Sequence, residues 1–346
     1  MATHPPPTRT SFGVVTPAEV AAVVGSSSRG AVDVSVLVPA KDEAENLPLF
    51  LEQAATAFET LDPRTRYEVI VIDDGSTDET WNVLKSLSKR YEFLQLVRHR
   101  RQRGIADALR SGALHAHGEV LVFYPADLQY QPLDIPRLVA PILSGEADMV
   151  TGRKQGVYEK AFVSRVYNQL SRALFSLPVR DLNSVKAYRR EIMDVIPIRP
   201  DWHRYMIAIA AAEGYSVREI PVQLYPRHAG KSKFGISRIP VGVLDMLSVW
   251  FELRFGRKPL LLFGSLGAGL FALGVLIGLA AVAVRLFGGV GYRPLLTLVE
   301  TCLVLGSVFV ATGLLGEQIA GQRAQIREMQ RQLDTLRNST TPPSES

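Results

Sequence analysis

The chain has 346 residues, 47% of them hydrophobic, and a formal net charge of +5; it can bury one large core and still have apolar sequence left over. Its single cysteine, Cys302, excludes a disulfide framework. The modest positive charge sits beside apolar segments, which points to anionic lipid and phosphate and away from a nucleic-acid partner.

Residues 1–32 read as a partly disordered tail. Met1 to Thr10 is polar and Pro-rich without an apolar core, so no signal peptide is expected. Thr16-Pro17-Ala18-Glu19 supplies the start of one short helix. Residues 34–38 form a continuous apolar run ending at Pro39, the pattern of a parallel strand buried on both faces. The polar loop Pro39-Ala-Lys-Asp-Glu-Ala-Glu-Asn46 then leads into a helix over residues 47–58.

A second strand, residues 68–72, runs into Asp73-Asp-Gly-Ser-Thr-Asp-Glu79. There Gly75 permits a tight turn, and Ser76 with Glu79 predicts a capping box for a helix through Trp81 to Tyr91. The pattern recurs with a strand at 93–97, a basic loop at 98–103, a helix at 105–115, and the strand that opens Val120-Leu-Val-Phe-Tyr-Pro-Ala-Asp-Leu-Gln129. Such alternation predicts an α/β fold with a doubly wound, mostly parallel sheet whose loops gather along one edge. Asp127 then sits just beyond the carboxyl end of a buried strand, where open α/β sheets bind ligands.

Farther on, residues 133–144 read as a helix and 149–151 as a strand ending in Gly152-Arg-Lys154. Phe162, Val166, Leu170 and Leu174 mark one face of a helix. A polar loop runs into a strand over 181–188, a helix follows at 203–213, and residues 217–224 form an edge strand interrupted by Pro221. Arg227-His-Ala-Gly-Lys-Ser-Lys-Phe-Gly235 is a flexible cationic loop, able to close over a substrate. Residues 239–255 are amphipathic: either an interfacial helix or a core helix of the soluble domain.

Residues 259–284 carry no charge, and at ~1.5 Å per residue they exceed the roughly 30 Å of a bilayer's hydrocarbon core. Residues 295–316 form a second span, interrupted by Glu300. That carboxylate either snorkels toward Arg285 or Arg293 or serves subunit packing or lipid handling. Arg254, Arg257 and Lys258 precede the hairpin and Arg323 and Arg327 follow it, so both termini are expected in the cytoplasm of a two-span protein of the inner or plasma membrane. Ile319, Ile326 and Leu333, with Met329 and Leu336, fall at heptad positions, which suits a homo-oligomer. The expected domains are thus 1–32, 33–235, 236–258, 259–316 and 317–346.

On the loop edge the sequence gathers carboxylates at Asp42, Glu43, Asp74 and Asp127 with an amide at Gln129. The cations there are Arg98, Arg100, Arg101, Arg103, Arg153, Lys231 and Lys233. Carboxylates among that many cations suit a metal-bridged diphosphate. The run from Arg98 to Arg103 is equally open to a solvated basic face or to a patch resting on anionic membrane. No Walker loop, Rossmann glycine fingerprint, His/Cys metal spacing or Ser/His/Asp order anchors a kinase, dehydrogenase or hydrolase.

Pro39-Ala-Lys-Asp-Glu43 with Asn46, Asp73-Asp-Gly-Ser-Thr-Asp78, Ala126-Asp-Leu-Gln129 and Gly230-Lys-Ser-Lys-Phe234 together resemble the successive motifs of family 2 glycosyltransferases. The branch they resemble transfers sugars to polyprenyl phosphates and includes dolichyl-phosphate mannose synthase and bacterial undecaprenyl-phosphate glucosyltransferases. The resemblance covers residues 34–255 and implies a GT-A fold and inverting transfer from a UDP- or GDP-linked sugar to a polyprenyl phosphate. It also implies Pro39, Ala40, Lys41, Glu43, Asp74 and Ala126 at the nucleotide, and Asp127 and Gln129 on Mg²⁺ or Mn²⁺. Asp127, Arg153, Lys231 and Lys233 would be catalytic, with Arg153, Arg227, Lys231, Ser232 and Lys233 at the phosphates.

This chain has Pro125 where the family's metal motif usually begins with a second Asp, and Lys41 and Asp42 replace the usual aromatic and Asn. Either Asp127, Gln129 and the diphosphate hold the metal, or metal dependence is weakened. A catalytically silent, membrane-tethered nucleotide-sugar scaffold is one alternative. A processive polysaccharide synthase is another, although it needs several more spans than these two.

Overall fold

The computed structural model describes residues 32–156, 169–171, 174–175, 179–196, 202–229, 239–256, 258–288 and 293–340. It divides into two compact units, one ending at Met246 and the other beginning at Leu247. The expected tail helix near Thr16, most of the helix marked by Phe162, and the loop at 230–238 lie outside the described residues.

The first unit runs β1 (Val34–Ala40), α1 (Leu47–Phe58), β2 (Tyr67–Asp73), α2 (Thr80–Leu87), β3 (Leu94–Arg98), α3 (Ile105–His115) and β4 (Val120–Phe123). A 3₁₀ turn, Pro132–Asp134, then precedes α4 (Ile135–Leu143), and another, Trp202–Tyr205, comes later in the unit. It continues with β5 (Met149–Gln155), β6 (Lys186–Arg189), α5 (Arg190–Val195), α6 (Met206–Ala212) and β7 (Val217–Gln223). The seven strands form one sheet in the order β3-β2-β1-β4-β6-β5-β7. Val34, Val36, Leu37 and Val38 of β1 are all fully buried, as a central strand covered on both faces requires. Helix α1 presents Leu47, Phe50, Leu51, Ala54 and Phe58 to the core at helical spacing.

Two local expectations change. Alternation of strand and helix predicts parallel neighbours, but β6 runs antiparallel to both β4 and β5. The chain leaves β5 and re-enters at the edge it left, so no crossover turns it round. The predicted capping box at α2 is also absent. Ser76 Oγ instead accepts the Asp42 amide at 2.9 Å, and Asp78 Oδ1 accepts the Thr80 amide at 3.0 Å.

At the sheet's other edge, the buried Glu68 carboxylate accepts from Ser35 Oγ at 2.6 Å, from the His117 amide at 2.6 Å and from Gln95 Nε2. Ser35 Oγ in turn accepts the Gly118 amide at 2.8 Å. One carboxylate therefore fixes the turn that delivers the chain into β4.

The helix α7 (Ile239–Phe255) contains the division between the units. Its residues Met246 and Val249 are fully buried, whereas Val241, Leu244 and Leu247 are exposed. In the second unit, α8 (Pro259–Gly288) and α9 (Arg293–Thr340) pack antiparallel. A Cβ on Gly267 would stand 2.6 Å from the Gly306 carbonyl oxygen, and one on Gly306 would stand 2.8 Å from the Phe271 amide nitrogen, so the backbones touch through glycine. Leu260 donates its amide to Glu317 Oε2 at 3.3 Å, closing the amino end of α8. Both helices are long and apolar enough to cross a membrane, over Pro259–Phe287 and Arg293–Ile326. The expected second span and the heptad tail are one unbroken helix of 48 residues, about 70 Å long.

Replacing Glu68 with Ala strands Ser35, Gln95 and the His117 amide. We expect unfolding free energy to fall by about 3 kcal/mol, measured by denaturant titration in detergent. A loss below about 1 kcal/mol would show that the network is dispensable.

Candidate active site

Because β1 to β4 run parallel, their carboxyl ends share one edge, with Ala40 paired to Asp73 and Asp73 to Arg98. The loops after β1 and β2 are stitched together. Lys41 Nζ donates to the Gly75 carbonyl at 2.7 Å, the Glu43 amide to Thr80 Oγ1 at 2.8 Å, and the Thr77 amide to Asp42 Oδ1 at 2.8 Å. Gly75 has φ +68°, and a Cβ there would lie 2.6 Å from the Arg101 carbonyl carbon, so the loop after β3 closes over it.

Asp74 holds that third loop. Its Oδ1 lies 2.8 Å from His99 Nδ1 and accepts the Arg103 amide at 2.8 Å, while Oδ2 accepts the Gly104 amide at 2.8 Å. His99 Nε2 meets Ser111 Oγ at 2.9 Å. Burial raises the Asp74 pKa, but these bonds outweigh it and hold the carboxyl below its ordinary value. The acidic edge predicted from sequence is therefore divided: Asp42 and Asp74 bind loops to one another. Arg98 pairs with Asp73 at 3.2 Å and lies 4.8 Å over the Trp81 ring, so it is engaged within the protein.

The turn after β4 explains its own alternation. Ala126, Leu128 and Tyr130 are buried in the core, Leu128 at φ +56°, which leaves Asp127 and Gln129 partly buried on the other side. Arg227 Nη2 stands 2.9 Å from Asp127 Oδ2 and 3.5 Å from Gln129 Oε1. The segment after β7 is held there by the Tyr225 amide, which donates to the Gln129 carbonyl at 2.9 Å. Burial raises the Asp127 pKa, and the Arg227 guanidinium opposes it.

Asp127 and Gln129 offer one carboxylate and one amide oxygen. That fits the protein's small share of a Mg²⁺ or Mn²⁺ site completed by diphosphate and water. Among the described residues, no group of three or more His, Cys, Asp or Glu side chains could hold a metal by itself.

Arg153 lies on β5 two residues past Thr151, which pairs with Lys186 of β6 as Lys186 pairs with Phe123 of β4. It therefore shares the edge, about two strand spacings, or ~10 Å, from β4. Lys231, Ser232 and Lys233 lie outside the described residues.

Sequence reasoning missed a buried charge cluster beside this turn. Lys154 Nζ pairs with Asp181 Oδ2 at 3.4 Å. Lys186 is fully buried, donates to the Ser184 carbonyl at 2.8 Å and lies 5.4 Å over the Phe123 ring. Burial lowers its pKa to about 7; Asp181 pulls the other way and Lys154 reinforces the fall. The one signal available was a lysine set between Val185 and Ala187 in an otherwise apolar strand.

Residues 35–197 match the sequence pattern of Glycosyl transferase family 2. The chain is 34% identical over 300 residues to a dodecaprenyl-phosphate galacturonate synthase of Rhizobium johnstonii, covering 84% of this chain and 88% of that protein. It is 26% identical to an undecaprenyl-phosphate 4-deoxy-4-formamido-L-arabinose transferase of Shewanella sediminis, over 85% and 89% of the two chains. Among solved structures, a glucosyl-3-phosphoglycerate synthase from Mycobacterium tuberculosis, crystallised with Mn²⁺, uridine diphosphate and phosphoglyceric acid, superposes with a TM-score of 0.52. That likeness, at 18% identity over 64% of this chain and 78% of the other, establishes a shared fold, the GT-A architecture.

Lys186 generates a pH prediction. Between about 7 and its ordinary value of 10.5, the unfolded chain carries a proton on Lys186 that the folded chain has released, so this residue makes stability rise with pH through that window. Lys186→Met is expected to flatten that rise in thermal unfolding midpoints; equal slopes in the two proteins would refute the depressed value.

Proposed function

The chain belongs to glycosyltransferase family 2, and from that membership we propose that it transfers a sugar, with inversion, from a nucleoside-diphosphate donor to the phosphate of a polyprenyl lipid. The observation that carries the reading is Arg227 bridging Asp127 and Gln129 at the carboxyl end of β4, on a chain with two helices able to cross a membrane. The relatives named for transfer to dodecaprenyl and undecaprenyl phosphate match over more than four-fifths of this chain, which supports a lipid acceptor.

A lipid phosphate monoester is largely dianionic near neutral pH, its second pKa being about 6. One of its oxygens attacks the anomeric carbon as the bond to the donor diphosphate breaks, the electron pair leaving with the nucleotide. No strong general base is required, so the protein's tasks are positioning and charge stabilisation. The stitched loops carrying Pro39, Ala40, Lys41, Glu43 and Asp74, with Ala126, hold the nucleotide. Asp127 and Gln129 hold Mg²⁺ or Mn²⁺, which when bound neutralises the diphosphate. Arg227 offsets part of the rise that burial imposes on the Asp127 pKa, and Arg153, Lys231, Ser232 and Lys233 serve the donor and lipid phosphates. The reaction takes place at the cytosolic face of the inner membrane, with both termini on that side, and the donor is UDP- or GDP-linked.

The test incubates purified protein with undecaprenyl phosphate and labelled UDP- and GDP-sugars, a galacturonate donor among them, with Mg²⁺, Mn²⁺ or EDTA. Label should enter the organic phase from one donor and disappear in EDTA. Asp127→Ala should lower transfer by about 100-fold or more with the protein still folded and membrane-bound; near-normal turnover in that variant would remove the metal assignment. Nucleotide binding without lipid product from any donor would favour the scaffold suggested by Pro125.

A further inference from the structure

The face of α9 that points away from α8 is patterned for another helix. Toward α8, the helix buries Cys302, Gly306 and Gly313. On the opposite side, Leu315, Ile319, Ile326, Met329 and Leu333 are all at least half exposed, at 62%, 51%, 50%, 55% and 64%. Their numbers advance by four, seven, three and four, the a/d spacing of a coiled coil, with Gln322 at the remaining d position. The same register runs back into the span through Val308, Leu305 and Leu298, exposed by 55%, 45% and 47%, with Thr312 and Thr301 at the intervening a and d positions. Past Glu317 the polar residues Gln318, Gln322, Arg323 and Gln325 interrupt the apolar stretch, and an exposed apolar stripe on a helix of that composition calls for a partner.

We propose that a second copy of this chain packs along this face, making α9 a parallel dimer interface that begins within the membrane and continues beyond it to Leu333. Three features select a second copy over another occupant. The stripe is self-complementary, with Leu333 at one a position and the β-branched Ile319 and Ile326 at two others, where such residues favour two strands. Its g positions beyond the membrane are Gln318, Gln325 and Gln332, so no like charges meet across the seam. Arg323, at e, is held by Glu252 of its own chain at 2.8 Å. Half-exposed side chains over this length present on the order of 800 Å² per copy, the share of each partner in a standard-size interface.

The parallel direction rests on the membrane-spanning reading above, since two copies threaded the same way through one bilayer set their α9 helices side by side in the same sense. The seam itself does not depend on the sugar, the donor or catalysis.

The test uses full-length protein in native membranes on a Cys302→Ser background, which removes the only cysteine. Single cysteines are introduced at seam positions, Ile326→Cys and Met329→Cys, and at the outward Ala324→Cys, then oxidised with copper phenanthroline. The proposal expects disulfide-linked dimers from the two seam variants and at least tenfold less from Ala324→Cys. It is overturned by equal cross-linking at all three positions, by none, or by adducts only with other proteins. Ile326→Glu with Leu333→Glu should halve the protein mass measured by light scattering in detergent while the monomer stays folded; an unchanged mass would also overturn it.

Discussion

A carboxylate taken out of water must be answered by a cation or by several hydrogen-bond donors, and that requirement assembles most of the first unit. Glu68 answers it with Ser35, Gln95 and the His117 amide, and so fixes the entry to β4. Asp74 answers it with His99 and two loop amides, drawing in the segment after β3. Asp127 answers it with Arg227, ninety-eight positions ahead of which the chain had already formed the turn at Gln129. Asp181 answers it with Lys154. Each acid joins stretches far apart in sequence, so the carboxyl edge of the sheet is a set of loops fastened by buried charge.

This division of labour bears on the chemistry. A transferase that needs no strong base still needs cations placed against a diphosphate and a lipid phosphate, with enough countercharge to keep them in place beforehand. Arg227 lies against Asp127 and Gln129, and under the proposed function it would meet both needs. Lys186 differs in kind: it is fully buried, and among the described residues its hydrogen bond goes to a neutral carbonyl, so burial depresses its pKa.

Much of this was legible in the sequence because the signals were local. The continuous apolar run at Val34, the helix over Ile105–His115 and the turn at Asp127 follow from composition and spacing within a few residues. The reversal at β6 was not legible, since a strand's direction depends on where the chain re-enters the sheet and leaves no mark in its own residues. Nor was the loss of the capping box: Ser76 had a competing partner in Asp42, thirty-four positions away. At the site, the residue types at Asp127, Gln129 and Arg227 could be named, but the ion pair joining the first to the last is a product of tertiary folding. The resemblance implied Asp74 at the nucleotide, but its hydrogen bonds to His99 and to the Arg103 and Gly104 amides depend on residues twenty-five or more positions away and left no local signal.

The continuity of α9 from Arg293 to Thr340 sets the angular phase of everything beyond the membrane. Each residue advances an α-helix by about 100°, so one residue inserted between Gly313, which faces α8, and Ile319 would swing nearly the distal half of the rod through more than a quarter turn. The length of that stretch is thereby constrained as tightly as its composition: substitutions on its outer surface leave the phase intact, whereas insertions or deletions are tolerated only in combinations that restore whole turns.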